Sequence, residues 1–200
     1  KGGFEERPAG LEKALGGLNI VHADYDNDGD LDIFVPRGAW RTGPTRCSLL
    51  QNDGHARFTD VSIAAGVAHP MNSQAACWAD YNNDGWVDLF VGGEAEMARL
   101  YKNKGDGTFV ESAMEARLPI GGAMCKGANW GDFDRDGWPD LAVNFLDAAP
   151  RLYRNKGDGR FTDVAPAMGI ERPTAGFSCF WLDTDNDGWD DLYLSGYDRN

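Results

Sequence analysis

Basic residues are scarce: 19 lysines and arginines stand against 32 aspartates and glutamates, for a net charge of −13. A surface of that sign repels phosphate backbones and sets nucleic acid aside as a partner. Histidine is scarcer still, with only His22, His55 and His69, well separated along the chain. There is no HExxH, no GxSxG and no Gly-Lys-Ser/Thr phosphate loop, so the motifs of zinc hydrolases, serine hydrolases and nucleotide-binding loops are missing. The four cysteines, Cys47, Cys77, Cys125 and Cys179, form no CxxC pair, which argues against a zinc site. No apolar run approaches the ~18 residues of a membrane-spanning helix. The sequence carries no Asn-x-Ser/Thr sequon and no Arg-Gly-Asp. It opens at Lys1 with no signal peptide, which reads as a mature or excised chain whose targeting information lies elsewhere.

What is abundant is equally directive. Twenty-six glycines and nine prolines point to many turns, and seven Trp, ten Phe and six Tyr favour strands over helices. The expectation is an all-β protein. Its acid is not spread evenly: 17 of the 32 carboxylates fall in four nine-residue windows, 24–32, 80–88, 132–140 and 183–191. Acid spread along a chain signals solubility or disorder, whereas acid packed at fixed spacing signals metal ligation.

The windows read Asp24-Tyr-Asp-Asn-Asp-Gly-Asp-Leu-Asp32, Asp80-Tyr-Asn-Asn-Asp-Gly-Trp-Val-Asp88, Asp132-Phe-Asp-Arg-Asp-Gly-Trp-Pro-Asp140 and Asp183-Thr-Asp-Asn-Asp-Gly-Trp-Asp-Asp191. Their starts lie 56, 52 and 51 residues apart. A second motif alternates with them: Asn103-Lys-Gly-Asp-Gly-Thr-Phe109, Asn155-Lys-Gly-Asp-Gly-Arg-Phe161 and the looser Asn52-Asp-Gly-His-Ala-Arg-Phe58. The repeats run over 18–70, 71–122, 123–173 and 174–200, with 1–17 as the end of a preceding unit.

Each repeat reads as four short strands. An aromatic strand enters the acidic loop (19–25, 76–81, 128–133, 177–182) and an apolar strand leaves it (31–35, 87–91, 141–145, 192–195). A third strand precedes the glycine-rich turn (48–51, 99–102, 151–154), and a fourth begins at the Phe after it. Four strands in roughly 40–50 residues is the arithmetic of a propeller blade. Gly3 to Glu6 resembles the start of a fourth strand, and the last repeat stops short of its third. The sequence therefore predicts a β-propeller segment of about four blades whose open edges invite partner chains or self-assembly.

Calcium takes six to eight hard oxygen ligands, and a tight D-x-D-x-D-G-x-x-D loop can supply them. Candidate ligands are the side chains of Asp24, Asp26, Asp28 and Asp32; Asp80, Asn82, Asp84 and Asp88; Asp132, Asp134, Asp136 and Asp140; and Asp183, Asp185, Asp187 and Asp191. Position 7 offers its backbone carbonyl, from Asp30, Trp86, Trp138 and Trp189. About four Ca2+ ions are expected, one per loop. Asn82 removes a charge from the second loop, which should be the weakest site. An EF-hand is excluded: it needs a Glu at position 12 and flanking helices, where this chain has Val35, Val91, Val143 and Leu194 within strand-forming runs.

The alternation of D-x-D-x-D-G-x-x-D with N-x-G-D-G-x-F resembles the FG-GAP/VCBS repeat of integrin α-subunit propellers, cartilage acidic protein and ASPIC/UnbV-type proteins. The resemblance covers nearly the whole chain. It implies a seven-bladed propeller, of which this chain would supply about four blades, with calcium in the named loops of a secreted or surface protein. The first repeat departs from the pattern, with Ala56 in place of a glycine and an insert from Pro36 to Arg46.

Trp78, Trp130 and Trp181, two residues before their loops, are expected in the core. His22 takes that position in the first repeat and reads as structural. The position-7 tryptophans are expected to pack between neighbouring blades, and Trp40 in the insert is a candidate contact residue. The cysteines read as small buried residues rather than disulfides. No catalytic residues stand out, and the expectation is a non-enzymatic, calcium-binding scaffold for a protein or glycan ligand. It would sit outside the cell, at its surface or in a periplasm. The alternatives are a propeller-based polysaccharide lyase or hydrolase, or a structural subunit of a surface assembly.

Overall fold

In a computed structural model, residues 9, 17, 19–38, 45–94 and 96–197 are described. The expectations for Gly3 to Glu6 and for Trp40 lie outside those residues. Every regular element among the described residues is a β-strand. The first sheet joins β1 (Val21–Ala23), β2 (Asp32–Val35), β4 (Ser48–Asn52) and β5 (Phe58–Asp60), in that order. The second runs β7 (Ala75–Ala79), β8 (Asp88–Gly92), β9 (Arg99–Asn103) and β10 (Phe109–Glu111). The third runs β11 (Cys125–Gly131), β12 (Asp140–Phe145), β13 (Arg151–Asn155) and β14 (Phe161–Asp163). A pair, β15 (Gly176–Leu182) with β16 (Asp191–Gly196), begins the fourth. A short ribbon of β3 (Thr45–Arg46) and β6 (Pro70–Met71), which the sequence did not suggest, ties the end of the insert to the connection into the second sheet.

All pairing within the four sheets is antiparallel and between strands consecutive in sequence, save that β3 falls between β2 and β4. The first strands of successive sheets lie against one another, β1 on β7, β7 on β11 and β11 on β15. The sheets therefore stack face to face about a shared inner edge, as propeller blades do. Three apolar cores fill the spaces between them. Phe34, Leu49, Leu89 and Val91 close the first space. Phe90, Leu100, Leu118, Leu141 and Val143 close the second. Ala142, Leu152 and Cys179 centre the third.

Tryptophans two residues before the loops bridge these spaces as expected. Trp78 meets Phe34 edge-on at 6.3 Å and Phe109 at 6.1 Å. Trp130 stacks on Tyr81 at 6.2 Å, and Trp181 on Phe133 at 6.4 Å. His22, in the same position of the first sheet, is exposed. All four cysteines are free, and burial pushes their thiols up, which leaves them unreactive.

The turn asparagines lock sheet to sheet. The Asn103 side chain donates to Val87 O at 3.1 Å in its own sheet and to Tyr25 O at 2.8 Å in the previous one. Asn155 repeats the arrangement with Pro139 O at 3.0 Å and Tyr81 O at 2.8 Å. Both residues are about 1% exposed. Asn103→Ala would leave buried carbonyls unpaired and is expected to lower the unfolding free energy by about 1–3 kcal/mol. Chemical denaturation measures this, and an unchanged midpoint would remove the asparagine from any role in holding sheets together.

Candidate functional site

Each acidic loop joins the first and second strands of its sheet, so the four loops lie at the same end of the stack. Position 1 shapes the loop by accepting backbone N–H groups with both carboxylate oxygens. Asp24 takes Asp28 N and Gly29 N at 3.0 Å each. Asp80 takes Asp84 N at 3.0 Å and Gly85 N at 2.7 Å. Asp132 and Asp183 hold the equivalent pairs, Asp136 and Gly137, and Asp187 and Gly188. Position 5 then accepts the N–H of position 7, as in Asp84 with Trp86 and Asp136 with Trp138.

Position 9 is a strap. Asp32, Asp88 and Asp140 are fully buried. One oxygen accepts the position-2 N–H (Tyr25 at 3.2 Å, Tyr81 at 3.3 Å, Phe133 at 3.2 Å) and the other accepts the turn asparagine N–H (Asn52 at 2.8 Å, Asn103 and Asn155 at 2.7 Å). The incoming chain bends at position 2 to make these bonds. For this reason β1, β7 and β11 end before Tyr25, Tyr81 and Phe133 instead of including them as expected.

The arrangement gathers ligand atoms. Carboxylate oxygens of Asp24, Asp26 and Asp32 lie within 4.8 Å of one another, as do those of Asp132, Asp134 and Asp136 and those of Asp183, Asp185 and Asp187. In the second loop, Asp80 and Asn82 converge on Asp84 N, both at 3.0 Å. Asp28, Asp140 and Asp191 stand outside these groups. Within the clusters, Asp26 Oδ1 and Asp134 Oδ1 are buried with no hydrogen-bond partner. Their second oxygens are used, by Gln51 Nε2 at 2.6 Å and Arg154 Nε at 2.6 Å.

At position 7, Trp86 and Trp138 pack on the first glycine of their own sheet's turn. A Cβ on Gly105 would sit 2.7 Å from Trp86, and one on Gly157 would sit 2.9 Å from Trp138. Those glycines have φ of 71° and 69°, so close approach and backbone conformation both demand glycine. Trp189 is 48% exposed, with Arg135 stacked 4.2 Å above its ring.

Position 4 is a functional residue that sequence reasoning missed. Asn27, Asn83, Arg135 and Asn186 all adopt left-handed backbone, with φ between 52° and 61°. Asn27 Nδ2 donates to Gly85 O in the next loop at 3.1 Å, and Asn83 Nδ2 to Gly137 O at 2.9 Å. Arg135 reaches the fourth loop through Trp189. The recurrence of Asn at this position was the available signal.

Burial pushes the carboxyl of Asp32 up to about 6 and those of Asp88 and Asp140 up to about 7, with neighbouring aspartates adding to the shift and backbone N–H donors opposing it. The folded chain thus holds more protons than the unfolded chain between about pH 4 and pH 7. Stability of chelator-treated protein is expected to fall as pH rises through that window. Melting temperatures at pH 5 and pH 7.5 test it, and a higher value at pH 7.5 would contradict it.

Comparison with known proteins gives the following relatives. Cartilage acidic protein 1 of Homo sapiens is 26% identical over 191 residues, covering 89% of this chain and 28% of the relative. The Xenopus tropicalis protein of that name is 31% identical over 190 residues, covering 89% and 29%. The chain thus spans under a third of the curated relatives it matches. Among solved structures, an Agrocybe aegerita lectin described for recognition of non-reducing terminal N-acetylglucosamine aligns with a TM-score of 0.47 and 21% identity, covering 88% of this chain and 46% of that one. A family model for the FG-GAP-like repeat matches residues 24–91, 80–143 and 132–194, each match running from one acidic loop to the strand after the next. The chain belongs to the FG-GAP-like repeat family.

Proposed function

We propose that this chain is a calcium-held propeller segment that serves as a non-catalytic binding scaffold outside the cell. The observation that carries the metal assignment is the pair of buried, unpartnered oxygens, Asp26 Oδ1 and Asp134 Oδ1, each set among converging carboxylates. An oxygen that is buried and lacks a donor destabilises the fold by its lost hydration unless a cation or proton meets it. The donor set is all oxygen, which suits calcium over the softer transition metals. Positions 1, 3 and 5 would hold the ion in the third and fourth loops, and positions 1, 3 and 9 in the first.

The location follows from affinity. Extracellular modules of this kind bind calcium at roughly 10⁻⁴ to 10⁻³ M, which matches millimolar external calcium and leaves such sites empty in cytosol. Among the described residues no helix is long and apolar enough to cross a membrane. Repeats in series, each presenting connections at the end opposite the acidic loops, offer a broad surface for a protein or glycan ligand.

Calorimetric titration of chelator-stripped protein with calcium tests the metal assignment, with thermal unfolding followed in parallel. About four sites and a melting temperature that climbs with calcium are expected. Asp134→Ala should abolish one site and leave the others. Absence of heat and of stabilisation at millimolar calcium would overturn the assignment.

A further inference from the structure

Building on the calcium reading, we propose that the residue just before each turn asparagine sets the cation affinity of its loop by supplying or withholding a resident counter-charge. These residues are Gln51, Lys102 and Arg154. All three hold the same register, opposite Thr59, Val110 and Thr162 on the fourth strand of their sheet. Each side chain reaches the acidic loop of its own sheet. Gln51 Nε2 meets Asp26 Oδ2 at 2.6 Å. Lys102 Nζ lies 3.7 Å from Asp84 Oδ2. Arg154 spans two ligand positions, with Nε 2.6 Å from Asp134 Oδ2 and a terminal nitrogen 3.4 Å from Asp136 Oδ2.

The chemistry of these contacts differs although their geometry repeats. Gln51 orients Asp26 through a neutral hydrogen bond and adds no charge. Arg154 places a full positive charge on two of the carboxylates that converge in the third loop and occupies their outer oxygens. A divalent cation entering that loop meets a field already partly neutralised, and it must share or displace the guanidinium. Lys102 acts likewise on the second loop, more weakly at its longer distance. Ligand charge sets calcium affinity in oxygen cages. The first loop has five aspartates against a neutral Gln51, the third has four against Arg154, and the second has three with Asn82 against Lys102. Affinity then falls from the first loop to the third to the second. The repeats become a graded set of sites rather than four equal ones.

The position-6 glycines provide a separate reporter for each loop, since Gly29, Gly85 and Gly137 each donate their amide to the position-1 aspartate. Calcium titration followed by amide NMR of the full chain reads the loops individually. In Arg154→Gln the half-saturation of Gly137 is expected at about three- to tenfold lower calcium, with Gly29 unmoved. Gln51→Arg should raise that of Gly29 by a similar factor, and Arg154→Lys should stay close to the unaltered protein. Raising the salt concentration should narrow the difference between Arg154→Gln and the unaltered chain. Arg154 is about half exposed, so its variants are expected to keep their fold, which the unmoved Gly29 amide checks. If the unaltered glycine amides titrate but Gly137 is indifferent to Arg154→Gln, the counter-charge is overturned and the calcium reading stands. If no glycine amide moves at millimolar calcium, both are overturned.

Discussion

Asp32, Asp88 and Asp140 carry the constraint on which the remainder of the structure depends. Each is removed from solvent, and each accepts one N–H from the chain entering its loop and one from the turn asparagine of its own sheet. A buried carboxylate is destabilising unless donors surround it, and two backbone amides are what these supply. In return, the carboxylate fixes three segments that are far apart in sequence: the end of the first strand, the start of the second and the turn after the third. Strand register follows from this strap, because a slip of one residue would pull an amide from an anion that has no water to replace it.

The strap also links one repeat to the next. The asparagine whose N–H reaches Asp88 sends its side chain to the carbonyl of Tyr25, and the N–H of Tyr25 reaches Asp32. Asn155 continues the line from Asp140 to Tyr81 and on to Asp88. Three buried carboxylates thus lie on one run of hydrogen bonds that crosses two apolar interfaces. Asn27 and Asn83 add a second, outer run from loop to loop. Apolar packing between sheets supplies most of the stabilising area but tolerates sliding. These polar runs have fixed partners and set which sheet faces which, and at what height. The left-handed backbone at position 4 is strained for an ordinary side chain, and it recurs in all four loops.

Much of this was legible in the sequence. The D-x-D-x-D-G-x-x-D windows placed the loops, the N-x-G-D-G-x-F turns placed the third and fourth strands, and Trp78, Trp130 and Trp181 were correctly put in the inter-sheet cores. Those features are local, fixed by a handful of neighbouring residues. What escaped was non-local. The sequence shows that Asp88 ends a loop, but not that Asn103 caps it from across the sheet or reaches Tyr25 in the previous one. It shows Trp86 at position 7, but not that its ring lies against Gly105, which depends on the curl of the turn. The role of Asp32, Asp88 and Asp140 as straps was hidden for the same reason, since the asparagine that donates to each comes from a turn across the sheet.

The straps bear on how calcium would act here. A switch requires two conformations with different affinities for the ion, and a ligand that meets one preformed arrangement shifts no population. In these loops the turn is already closed by position-1 and position-9 carboxylates on backbone amides, while buried atoms such as Asp26 Oδ1 and Asp134 Oδ1 are left without partners. Ion entry then completes a shape instead of creating one. Its effect is stabilisation by mass action: at 1 mM calcium, sites of 10⁻⁴ to 10⁻³ M contribute about 0.4–1.4 kcal/mol each. Over four loops that reaches about 2–6 kcal/mol, a large part of the 5–15 kcal/mol by which a typical domain is stable. If the loops take calcium as proposed, a chain with this much acid at one end of its sheets would be tied by its stability alone to compartments rich in calcium, before any ligand is considered.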